Sequence, residues 1–181
     1  MTDVSHEQYE VEYISEILAE TNSIAVVGAS PKNIRPSYFV VKYLLSKGYD
    51  VIPVNPGHAG RTICDVMTYA SLANIDRPID MVDIFRNSTA ALSVVQEALL
   101  LDPLPKVIWM QLGVFNQEAA NLAQNAGIKV VMNRCPKIEY ARISGEIGWA
   151  GVNSGVVSSQ KPVLKKGFQS FGIVAKRPSQ T

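Results

Sequence analysis

The chain has 181 residues, of which 47% are hydrophobic and 18% charged, with a formal net charge of +1. That length suits one domain with a real core and excludes two full catalytic domains. The near-neutral charge excludes long-range attraction to nucleic acid or anionic lipid, so any basic site has to be local.

Cys64 and Cys135 stand far apart in sequence, and His6 and His58 sit in no cluster with metal-ligand spacing. No signal-peptide pattern opens the chain, and no apolar run nears the ~20 residues of a membrane span. These features predict a cytoplasmic protein with free thiols, no bound metal, no membrane and no nucleic-acid partner.

From Ser5 to Glu20, Tyr9, Tyr13, Ile14, Ile17 and Leu18 recur at helical spacing among acidic residues, which predicts an amphipathic helix over one edge or face of the core. Ile24 to Val27 is a short apolar run that ends in Gly28, and after a loop Phe39 to Leu45 resumes the helical period. Gly48 stops that helix, and Val51 to Val54 reads as the next strand, ended by Asn55-Pro56-Gly57. The pattern repeats with a strand over Ile79–Ile84, a helix over Thr89–Leu101 and a strand over Lys106–Met110. A helix over Asn116–Ala126 is closed by Gly127 and leads to the strand Ile128–Met132.

Five buried-looking strands alternating with helices predict an α/β fold, a Rossmann-like, doubly wound parallel sheet in a single three-layer domain. The expected organisation is the helix within 1–20, the α/β domain over 21–158 and an irregular, glycine-broken tail over 159–181.

Such sheets bind ligands beyond the carboxyl ends of their strands, which selects the loops beginning at Gly28, Asn55, Phe85, Gln111 and Asn133. Gly28 lets backbone approach a ligand, and the amides of Ala29 and Ser30 make a nest for phosphate oxygens, with Lys32 and Arg35 adding charge. The same residues also suit an ordinary βα turn. The usual dinucleotide pattern of three glycines is missing after the first, and Asn55 stands where a nicotinamide-binding fold places an acidic residue. Asp50 precedes its strand and lies at the wrong end of the sheet for that role.

Asn55 can contact ribose or adenine, or simply initiate a turn with Pro56. Arg86 suits a phosphate and Phe85 an adenine or the core. The spacing of Asp80 and Asp83 puts them on opposite faces of a strand, which predicts capping or pairing with Arg86 rather than shared acid–base work. Gln111 and Gly113 resemble a loop that admits a ligand's polar group to backbone amides, and Trp109 is a core residue. Cys135 precedes Pro136 at a helix start. It is either a packed structural thiol or one whose pKa is lowered by the helix end, Arg134 and Lys137.

The segments Gly28-Ala-Ser, Arg35-Pro-Ser, Val54-Asn-Pro, Asp83-Ile-Phe-Arg, Trp109-Met-Gln-Leu-Gly and Arg134-Cys-Pro-Lys-Ile-Glu resemble the small bacterial and archaeal CoA-binding domain proteins, themselves similar to the N-terminal domain of the succinyl-CoA synthetase alpha subunit. The resemblance runs from about Ile24 to Ser158. It implies a Rossmann-like binder of coenzyme A or acyl-CoA, with the phosphates and nucleotide near Gly28, Ala29, Ser30, Lys32 and Arg35. Val54, Asn55 and Pro56 would follow the adenosine, and Ile84, Phe85 and Arg86 the other wall. Many relatives carry Asp at the position of Asn133. The phosphorylated histidine of the synthetase has no counterpart, so the resemblance implies binding without ligase chemistry. The alternatives are an NAD(P)- or CoA-dependent enzyme with Cys135 as nucleophile, or a thiol-redox protein in which Cys135 forms a mixed disulfide with CoA. A homo-oligomer or an unidentified protein partner stays open.

Overall fold

Strands buried on both faces are written as unbroken apolar runs, and the sheet is built from five of them. In the computed structural model, which describes residue 6 and residues 8–146, β1 (Ser23–Val27), β2 (Asp50–Val54), a two-residue hairpin of β3 (Thr62–Ile63) and β4 (Val66–Met67), β5 (Met81–Ile84), β6 (Val107–Met110) and β7 (Lys129–Val131) follow in order. The five longer strands form one parallel sheet in the order β2-β1-β5-β6-β7. The order reverses between β1 and β5, so the crevice of a doubly wound sheet opens where Gly28 and Phe85 leave their strands. The predicted tail over 159–181 lies outside the described residues.

Helices cover both faces. One core layer joins Ala25, Ile52, Val82, Ile84, Ile108 and Met110 to α3 (Ser88–Ala98) and α4 (Gln117–Asn125). The other joins Ile24, Val26, Met81, Trp109 and Val131 to α1 (Val11–Glu20), α2 (Pro36–Ser46) and α5 (Pro136–Ile143). Asn87 and Asn116 cap α3 and α4 by accepting the amides of Ala90 and Ala119, each at 2.8 Å. Proline supplies the first turn of α2 and of α5, where its missing N–H costs no helical bond.

The N-terminal helix is shorter than its periodicity predicts. It starts at Val11, not Ser5, because Tyr9 leaves the helical path and its hydroxyl accepts the Met132 amide at 2.7 Å. Between Asn55 and β5 the sequence pattern shows no element, whereas the structure has 3-10 turns at Pro56–His58 and Leu72–Asn74 around the β3–β4 hairpin. That hairpin turns through Cys64 and Asp65, both at positive φ without a glycine, so its usual sequence signal is absent.

Candidate functional site

At the reversal point the first and third loops touch. Gly28 sits at φ +94°, and a side-chain carbon there would collide with the Phe85 carbonyl oxygen and lie 3.3 Å from Cδ of Arg86. Glycine is therefore required both by its backbone angle and by the strand-end carbonyl beside it. The aliphatic stem of the exposed Arg86 passes over this glycine and leaves its guanidinium to solvent.

The other predicted residues fall into two groups. Lys32, Arg35 and Pro56 are exposed around the crevice, and Ser30 and Asn55 are half-buried in its loops. Ala29, Val54 and Ile84 bury their side chains in the core, so only their backbone faces the loops. Asn55 uses both ends of its amide within the protein: Nδ2 donates to the Ala29 carbonyl at 2.7 Å and Oδ1 accepts the Gly57 amide at 2.9 Å. It initiates a turn and ties the first loop to the second.

The expectations about backbone nests are cut back. Of the amides of Ala29 and Ser30, that of Ser30 donates to Ser37 Oγ at 3.1 Å and is not open to a phosphate, and the Gly28 amide before them donates to the Val54 carbonyl at 2.8 Å. In the fourth loop the amides of Gly113, Val114 and Phe115 go to Asn133 Oδ1, the Gln111 carbonyl and Ser88 Oγ. Asn133, at φ +54°, serves there as an acceptor in a left-handed position that asparagine tolerates. An amide oxygen does this as well as a carboxylate.

Neither aspartate near β5 pairs with Arg86. Asp80 lies just before the strand, accepts the amides of Asn22 and Ser23, and pairs with Lys106 at 2.8 Å. Asp83 is fully buried between Val26 and Trp109 in the sheet register, and Gln111 Nε2 donates to its two oxygens at 3.0 and 3.1 Å. Burial pushes its pKa up to about 8 against the opposing hydrogen bond, so at pH 7 it is mostly a neutral acid.

Gln111 also forms the floor of a cleft of about 690 Å³ that starts at Phe85 and Arg86 and runs toward α5. Phe39 and Val40 of α2 form one wall, and Leu112 and Ile138 the other, with Cys135 also in the lining. The sequence reading included Gln111 and Cys135 among its candidates and missed Phe39, Leu112 and Ile138. A helical period and a loop position do not tell an exposed apolar side chain from a core one. A smaller pocket of about 280 Å³, between Ile75–Ile79 and Leu101–Pro103, opens at the amino ends of β5 and β6, away from these loops.

Cys135 is the N-cap residue of α5 and is buried. Burial raises its thiol pKa, outweighing the hydrogen bonds from the Ile138 and Lys137 amides, and the nearby Asp83 raises it further. The lowered pKa that a helix start and two cations suggested is thus reversed, which agrees with a packed structural thiol. A raised thiol pKa counts against the activated Cys135 that the enzyme and redox alternatives invoke.

The sequence matches the CoA binding domain family over residues 22–141. YneT of Bacillus subtilis is 40% identical over 131 residues, which is 71% of this chain and 92% of that one. A solved Thermus thermophilus protein superposes with a TM-score of 0.70 at 34% identity, covering 74% of this chain and 98% of its own. A Pyrococcus horikoshii protein gives 0.70 at 37%, covering 78% and 98%. With the reversal-point crevice in place and the match spanning all five strands of the sheet, the chain belongs to the CoA binding domain family.

Proposed function

We propose that the protein binds coenzyme A across the carboxyl ends of β1, β2 and β5, as a cytoplasmic binding module without ligase chemistry of its own. The observation that carries this reading is the crossing at Gly28. The glycine abuts the Phe85 carbonyl and lies under the Arg86 stem, which brings two family-like motifs into one crevice. Exposed Lys32 and Arg35 on the first loop add charge for phosphates, and Arg86 adds a fork that matches phosphate oxygens. The local placement of these cations suits a small anionic ligand on a chain of net charge +1. Family membership supports the identity of that ligand, and the occupied amides of Gly28 and Ser30 favour phosphate binding by the side chains.

Calorimetric titration of the purified protein with CoA, dephospho-CoA, NAD and NADP tests the reading. CoA should bind, and Arg86→Ala should weaken it roughly tenfold or more, the scale of one charge-assisted contact. Binding of NAD or NADP with no response to CoA would overturn it.

A further inference from the structure

The cleft beyond Arg86 carries a more specific statement about the ligand, one that rests on the CoA reading. We propose that this cleft receives the acyl part of a CoA thioester and that the acyl group it selects is an uncharged hydrocarbon chain.

Position comes first. The cleft begins at Phe85 and Arg86, where the crevice at Gly28 ends, so a ligand anchored at the first loop reaches it along one continuous surface. Its walls come next. Phe39 from α2, Leu112 from the loop after β6 and Ile138 from α5 are 49%, 56% and 44% exposed, and all three line the same concavity. Single exposed apolar residues are common on any protein, but three from separate elements converging on one hollow mark an apolar ligand site.

The floor decides against a charged acyl group. It is made by Gln111, whose Nε2 is spent on Asp83, and by the buried thiol of Cys135. Neither Asp83 nor Gln111 has a cationic partner among the described hydrogen bonds and ion pairs, so an acyl carboxylate buried on this floor would give up its water with no positive charge beside it. Two cations line the cleft: Arg86 stands where it begins, and Lys137 is drawn over the ring of Tyr43 at 5.5 Å. A dicarboxylic acyl group such as succinyl therefore finds no cation on the floor, whereas a saturated chain finds the apolar walls.

The test is calorimetric titration with CoA, octanoyl-CoA and succinyl-CoA, on the wild type and on a Leu112→Ser/Ile138→Ser double variant whose changes fall on exposed side chains. Octanoyl-CoA should bind roughly tenfold or more tighter than CoA, as expected for partial burial of a short methylene chain, and succinyl-CoA no tighter than CoA. The double variant should lose most of the octanoyl advantage and keep its affinity for CoA within about twofold. Equal affinity for CoA and octanoyl-CoA, or a preference for succinyl-CoA, overturns this inference and leaves the CoA reading standing. No binding of any CoA compound overturns both. A wild-type dimer that disperses in the double variant, without acyl preference, assigns the hollow to a second copy and also overturns it.

Discussion

Replacing Asp83 by asparagine should change how stability depends on pH, in a direction the structure dictates. The carboxyl lies between Val26 and Trp109 in neighbouring strands with Gln111 as its hydrogen-bond donor, and burial raises its pKa from 3.8 to about 8. The folded state then holds a proton between about pH 4 and pH 8 that the unfolded chain has released. The stability this provides is fully present below the unfolded pKa and is lost as pH rises through the folded one. Each pH unit in that window costs about 1.4 kcal/mol, or roughly 6 kcal/mol across the whole of it. Asparagine keeps an oxygen for Gln111 Nε2 and carries no charge. Urea unfolding of both proteins from pH 5 to pH 9 isolates the effect, because every other titrating group is shared. The difference should move in favour of Asp83→Asn by about 1.4 kcal/mol per unit up to pH 8 and then level off. Parallel stability curves for the two proteins would refute the assignment of a buried, neutral acid.

Gly28→Ala should cost at least about 2 kcal/mol, because a side chain there needs φ +94° and meets the Phe85 carbonyl oxygen; thermal unfolding measures it, and an unchanged melting temperature would contradict the close crossing. Cys135 should react with iodoacetamide at pH 7 at least about tenfold more slowly than a free cysteine, since burial and a raised pKa both suppress the thiolate. Mass spectrometry after timed labelling reads this, and rapid modification of Cys135 would restore the redox alternative.

Much of the architecture was legible because it is written locally. Apolar runs such as Ile24–Val27 and Val51–Val54 are long enough to read as buried strands, and Gly127 and Pro136 punctuate the ends of α4 and the start of α5. The strand order was not legible, since which strand lies beside β1 is fixed by crossovers that no window of sequence contains. The same limit misplaced Asp83. Its real partner, Gln111, is 28 residues away on the neighbouring strand's end, while Arg86 is three residues away and chemically obvious. A polar residue at or just beyond the end of each of two apolar runs was the available signal for that pair. The nests failed for a related reason: whether an amide is free depends on residues such as Ser37, Ser88 and Asn133 arriving from other parts of the chain.

The family match begins at residue 22, yet α1 ends at Glu20 and plants Ile14, Ile17 and Leu18 in the core beside Trp109 and Tyr140. Tyr49 Oη donates to the Leu18 carbonyl, Tyr13 Oη to the Val130 carbonyl, and Lys129 pairs with Glu16 and Glu20. The segment that similarity recognises is thus smaller than the unit that has to fold. A chain cut to residues 22–141 would present bare strand faces where α1 and the end of α5 had been, and its failure to stay in solution would say nothing about whether the crevice above them binds its ligand.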